Sequence, residues 1–177
     1  MTFPVIPTLA TERLVLRAPE AADFEPYAAF MAGTRAGFLG GPLNRRDAWR
    51  SFAGVLGHWA LRGFGRWTAA LRDSGQAVGL VGLHYPESWP EPEIAWALFE
   101  GCEGRGLACE AAGAVRAHVF GAMGWGRVIS LIHVDNARSA ALARRLGAVP
   151  ERAFTHPDFG EMTVWRHAPG GGGDGDA

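Results

Sequence analysis

The stretch from Glu93 to Ala111, E-I-A-W-A-L-F-E-G-C-E-G-R-G-L-A-C-E-A, constrains this chain more than any other. An apolar run of strand length breaks at a turn carrying Gly101, Gly104 and Gly106, and the turn opens directly into a helical pattern. Glycines let successive backbone N–H groups converge on one point, and the helix N-terminus adds unpaired donors and the positive end of its dipole. Such a chain cradles an anion between a strand end and a helix start, which places it in the α/β class. Two familiar phosphate cradles are excluded or disfavoured. The chain has no lysine, all 17 of its Lys+Arg residues being Arg, so neither a Walker-type loop nor Schiff-base chemistry is available. The Gly-x-Gly spacing lacks the third glycine of a dinucleotide fingerprint, and no βαβ unit precedes it.

The flanking sequence supplies the rest of a mixed α/β domain. Strands are expected at Leu14–Arg17, Trp67–Leu71, Ala77–His84, Ile94–Phe99, Val128–Val134 and Glu161–Arg166. Helices are expected at Ala21–Met31, Asp47–Leu61, Leu107–Phe120 and Ser139–Leu146. Asp73-Ser74-Gly75 joins two of the strands as a hairpin turn, and Gly147 ends the last helix as a left-handed cap. The order β-α-α-β-β-β-α-β-α-β predicts a single mixed central sheet flanked by helices.

At 177 residues this is one domain, expected over 1–167, followed by a disordered Gly/Asp-rich tail over 168–177. A net charge of −1 without a basic stripe gives no footing for nucleic acid. The apolar runs are too short to span a membrane, and no signal peptide is evident. The two cysteines, Cys102 and Cys109, have neither metal nor redox spacing, so a cytoplasmic protein without a metal is expected.

Four segments stand out in order: Thr11-Glu12-Arg13-Leu14-Val15-Leu16-Arg17; Gly63-Phe64-Gly65 with Val78-Gly79-Leu80-Val81-Gly82-Leu83; Glu93–Leu98 leading into Gly104-Arg105-Gly106-Leu107-Ala108-Cys109-Glu110-Ala111; and Asn136-Ala137-Arg138-Ser139 with Leu146-Gly147-Ala148. Together they resemble the GNAT superfamily of acetyl-CoA-dependent N-acetyltransferases, most closely its Rim-type branch, which acetylates ribosomal-protein N-termini. The resemblance covers roughly Thr8 to His167 and implies the GNAT fold, with a strand splayed from its neighbour at the acetyl-CoA site. Two residues depart from the family pattern. Glu103 stands where Gln, Arg or an aromatic residue is usual, and Cys109 where Thr is common.

The resemblance implies direct transfer of an acetyl group from acetyl-CoA to a primary amine, with a protein or peptide N-terminus as the leading acceptor. A small amine (amino acid, polyamine or antibiotic) is the rival acceptor, and a non-catalytic acyl-CoA sensor the rival class. A homodimer is the common expectation for such folds. Cofactor contacts fall to Ala97, Leu98 and Phe99 on the splayed strand, with an oxyanion donor near Ala97 or Leu98. They continue with Gly104, Arg105, Gly106, Leu107 and Ala108 in the cradle, and with Asn136, Ser139 and Arg145. Glu93 reads either as the base that frees the amine or as a solvated strand-end carboxylate among Glu87 and Glu91. Ser139 reads either as a donor to the departing thiolate or as a helix-start residue bonding only the cofactor. Arg145 reads as a phosphate contact or as solvated helix surface.

Overall fold

The computed structural model describes residues 4–170. Eight strands form one sheet: β1 (Leu9–Ala10), β2 (Leu14–Arg17), β3 (Arg66–Leu71), β4 (Ala77–His84), β5 (Glu93–Leu98), β6 (Val128–His133), β7 (Val149–His156) and β8 (Gly160–His167). Four helices flank it: α1 (Phe24–Met31), α2 (Arg45–Arg62), α3 (Leu107–Phe120) and α4 (Ala137–Arg145). Short 3-10 turns occupy Ala21–Asp23 and Thr34–Leu39. The strand order is β1-β2-β3-β4-β5-β6-β8-β7, and every neighbouring pair is antiparallel except β5 and β6.

The central strands read in sequence as they stand in space. β4 is almost continuously apolar because six of its eight residues are buried. α2 turns Ala48, Phe52, Val55 and Trp59 inward at helical spacing, is capped by the Asn44 side chain accepting from Asp47 N, and stops at Gly63 with φ +75. Gly82 lets β3 and β4 close on each other, since a Cβ there would meet Gly65 O at 2.6 Å. Deeper in the core, the nearly inaccessible Asp23 carboxylate receives Arg17 at 2.8 and 2.9 Å and the Thr68 hydroxyl at 2.8 Å. These bonds fasten the start of α1 to β2 and β3.

The structure adds two strands to the sequence expectation and moves several element ends, α2 starting at Arg45 rather than Asp47 and β5 running Glu93–Leu98 rather than Ile94–Phe99. β7 is an additional strand, and its residues are nearly all exposed at the sheet edge. With Pro150, Glu151 and Arg152 in its first half it carries no buried alternation to detect, and its charges and proline suit an edge. β1 is likewise additional. α4 begins at Ala137 rather than Ser139, because Asn136 is the N-cap and its Oδ1 accepts from Ser139 N at 3.1 Å. Of the expected disordered tail, residues 171–177 lie outside the described residues.

Candidate active site

The site begins where β5 and β6 part. Their parallel ladder contains one register pair, Glu93↔Ile129, with Ile129 N donating to Pro92 O at 3.2 Å. Past that pair, side chains stand in for ladder bonds. Leu131 N donates to Glu93 Oε2 at 2.8 Å, and Ser130 Oγ donates to Ile94 O at 2.7 Å. The strands then diverge toward their C-terminal ends, leaving a fork. Phe99 N donates to Val78 O at 2.8 Å, which sets the phase of β5. The amides of Ala95, Ala97 and Phe99 face β4, that of Ile94 belongs to the short β6 ladder, and those of Trp96 and Leu98 face the fork. Of the three strand residues expected to bind cofactor, Leu98 therefore offers its amide to the fork, while Ala97 and Phe99 use theirs on the sheet. Phe99 packs instead against Tyr27 and Phe30 in the core. Trp96 is the fork-facing residue that the sequence pattern concealed.

Glu93 closes the fork. It is 5% exposed, and its Oε1 accepts from Trp89 Nε1 at 2.7 Å while Oε2 accepts from Leu131 N. Burial pushes its carboxyl up to about 7, against the pull of those two donors and of the Arg66 charge. It is thus not the solvated strand-end carboxylate that its neighbours Glu87 and Glu91 suggested. His84, at the end of β4 beside Glu93 in the sheet, is stacked on His58 with ring centroids 5.6 Å apart, and burial drives it down to about 2. A histidine so depressed is a poor proton acceptor.

The cradle lies at the fork's mouth. Gly101, Gly104 and Gly106 all hold positive φ (+76, +72 and +77), and Gly106 is the N-cap of α3. Among the described residues no backbone carbonyl takes the N–H groups of Arg105, Gly106, Leu107 or Ala108, so four donors at a helix start are left for an anion. The opening segment of the chain holds this loop in shape. Arg13 Nη1 donates to Arg105 O at 2.8 Å and its Nε to Glu110 Oε2 at 2.6 Å, while the Thr11 hydroxyl donates to Glu110 Oε1 at 2.6 Å. Against the cost of partial burial, these donors hold the Glu110 carboxyl below its ordinary range. Glu103 faces Arg35 at 2.9 Å, and Arg35 also reaches Glu100 at 3.3 Å and Leu98 O at 3.4 Å. No local signal marks Thr11, Arg13 or Arg35 for these tasks, because their partners lie more than 60 residues away.

On the other side of the fork, Ser139 stands in the first turn of α4 and its Oγ accepts from Trp96 Nε1 at 3.2 Å. Asn136 uses its Oδ1 on Ser139 N, leaving its amide NH2 group for a ligand. Arg145 lies exposed on the last turn of α4, at the opposite end of the helix from Ser139, and among the described residues it forms no ion pair. The structure does not bring it to the fork. Glu93 belongs with Trp89 and the cluster of Ile129, Leu131, Met162 and Val164, whereas Trp96 packs with Ile132, Ala143, Ala148 and Trp165. Glu93 and Ser139 thus approach the fork from opposite faces of the sheet. Among the described residues no group of His, Cys, Asp or Glu is gathered for a metal, and no helix is long and apolar enough to cross a membrane.

A strand fork with an anion cradle at its mouth suits an extended ligand that ends in a phosphate group. The chain belongs to the GNAT acetyltransferase family, whose domain matches residues 13–149. Among solved structures it is similar to an acetyltransferase from Agrobacterium tumefaciens, at 36% identity and a TM-score of 0.84, over 94% of this chain and 97% of that one. It is also similar to a GNAT-family acetyltransferase from Bordetella pertussis, at 29% identity and a TM-score of 0.78, over 92% and 100% of the two chains. The ribosomal L7/L12 α-N-protein acetyltransferase, solved in complex with coenzyme A, shares the fold at 16% identity and a TM-score of 0.72, over 92% and 98%. The protein is an acetyltransferase that uses acetyl-CoA as cosubstrate and an amine as acceptor.

Proposed function

We propose that residues 1–167 form one catalytic domain that acetylates the α-amine of a peptide or protein N-terminus. The observation that carries this reading is Glu93, a buried carboxyl at the head of the fork whose affinity for a proton has risen to about 7. A base is most effective when its pKa lies near the working pH, and a peptide α-amine, at about 7.7–8.0, needs only such a base. A lysine amine, at about 10.4, would ask for far more. The fold shared with ribosomal-protein acetyltransferases, including one named for the alanine of protein S5, supports the same acceptor class.

The roles follow from position. The N–H groups of Gly104 to Ala108 bind the pyrophosphate, backed by the α3 dipole at about 0.3–1 kcal/mol per favourable charge. The Leu98 N–H in the fork is the donor for the thioester oxygen, replacing the expectation that Ala97 could serve equally. The Asn136 amide holds the pantetheine arm. Glu93 takes the amine's proton through a water, and Ser139 donates a hydrogen bond to the sulfur. The test is thiol release and product mass with acetyl-CoA and a panel of N-terminal peptides, lysine side-chain peptides and small amines. Release that depends on an N-terminal peptide and falls about 100-fold in Glu93→Gln is the expected result. Tight coenzyme A binding without acceptor-dependent release would replace the enzyme with a sensor, and release with small amines alone would move the acceptor class.

A further inference from the structure

We infer that Trp96 is a positioning residue whose indole N–H occupies the Ser139 oxygen and so aims the Ser139 hydroxyl proton at the sulfur of the acyl donor. The inference rests on the functional reading above. Its foundation is the polarity of one contact. An indole N–H can only donate, whereas a serine hydroxyl carries one proton and two acceptor sites. In the 3.2 Å contact between Trp96 Nε1 and Ser139 Oγ the tryptophan must therefore be the donor. The Ser139 proton cannot point back at the ring nitrogen. Among the described residues it has no protein acceptor within hydrogen-bond range, so it is left for a ligand.

Both partners are held. Ser139 is fixed by the Asn136 cap, its own N–H spent on Asn136 Oδ1. The Trp96 ring lies against the cluster of Ile132, Ala143, Ala148 and Trp165 on the α4 face of the sheet. The same residue lines the fork with its backbone amide, so the strand edge that receives the pantetheine and the hydroxyl that receives the sulfur are set by one side chain and one peptide unit. A phenylalanine here would leave the hydroxyl free to rotate. A tyrosine could accept as well as donate, and the polarity would be lost.

In the transfer, the amine nitrogen bonds to the acetyl carbon, and the carbon–sulfur bond breaks with its electron pair remaining on sulfur. Ser139 donates a hydrogen bond to the sulfur as that charge grows and keeps its own proton. The amine's proton leaves through Glu93 to solvent, and the thiolate, of a thiol with pKa about 8.5, recovers one from solvent.

Four forms of the full chain test this: wild type, Trp96→Phe, Ser139→Ala and the double variant, assayed with the best acceptor of the panel. Trp96→Phe is expected to lower kcat about 10-fold with KM for acetyl-CoA within about 2-fold, and the double variant to be no slower than Ser139→Ala alone. Losses that multiply in the double variant would make Trp96 merely structural and overturn the inference. The substitution Trp96→3-benzothienylalanine, which keeps the ring shape and loses only the N–H, separates packing from polarity. It should match Trp96→Phe in kcat while melting like the wild type, and wild-type kcat in that form would also overturn the inference. If Ser139→Ala turns over at the wild-type rate, the assigned role of Ser139 fails and takes this inference with it. If Ser139→Ala is slow and both Trp96 variants are fast, the inference alone fails.

Discussion

Glu103 is an acidic residue in a loop whose amides are set for an anion, and Arg35 cancels it across 2.9 Å. The pair is partly exposed, so its value to stability is small, about 0–1 kcal/mol. Its value to ligand binding is larger, because an uncompensated carboxylate beside the cradle would repel phosphate directly. Arg35→Ala is expected to weaken coenzyme A binding about 10-fold, or about 1.4 kcal/mol, and Arg35→Ala/Glu103→Gln to recover most of that loss. Calorimetric titration with coenzyme A decides it, and a double variant no better than Arg35→Ala would show that Arg35 acts on the ligand rather than on Glu103. At Asp23 the balance differs, because that carboxylate is buried. Desolvation raises its pKa, yet the bonds from Arg17, Glu20 N and Thr68 hold it below its ordinary value. Asp23→Ala leaves the Arg17 guanidinium and the Thr68 hydroxyl without their partner and should cost about 3–5 kcal/mol in urea unfolding.

The strand–turn–helix element owes its geometry to a segment almost a hundred residues earlier in the chain. Gly106 sits at φ +77 as the cap of α3, with its open side toward the Arg13 guanidinium. An alanine there meets Arg13 Nη2 at 3.5 Å, an ordinary contact, so the cost of Gly106→Ala is conformational, about 1 kcal/mol. Arg13→Ala removes the bonds to Arg105 O and Glu110 instead. Both variants are expected to raise KM for acetyl-CoA about 10-fold with kcat nearly unchanged, since they loosen binding remote from the reacting atoms. A fall in kcat alone would count against the cradle. The legibility of the chain divides along the same line. The cradle, β4, β5 and α3 were readable because backbone-permissive glycines and buried periodicity are local signals. β7 was hidden because an exposed edge strand has no buried face to alternate. The Thr11–Arg13–Glu110 and Arg35–Glu103 pairings were hidden because only the folded topology brings such distant residues together. Glu93 was visible as a residue, whereas its burial depended on where β6 and Trp89 would lie.

Over the whole molecule, buried groups of opposite kind set the pH dependence of stability. His167 is fully buried, and burial, with the charges of Arg116 and Arg166, lowers it to about 4. His84 falls to about 2, and His58 moves the same way. The unfolded chain takes protons on these histidines below about 6.5, where the folded chain does not. Their contribution is therefore complete above that pH and is lost as the pH falls. Glu93 runs the other way, because its folded pKa of about 7 lies above the ordinary 4.5. Its contribution is complete below about 4.5 and declines as the pH rises to 7. Between pH 5 and 6.5 the wild-type slope is thus the histidine rise less the Glu93 fall. Glu93→Gln removes the falling part, so its stability should climb more steeply with pH than the wild type's, by about 1 kcal/mol per pH unit. Urea unfolding of both proteins at half-unit steps across that window measures the two slopes. The lost Trp89 or Leu131 bond shifts the whole Glu93→Gln curve downward without changing its slope, so the comparison survives any general destabilisation. Parallel curves would mean that Glu93 is ionised in the folded protein throughout the window, and the α-amine base would then have to be sought elsewhere in the fork.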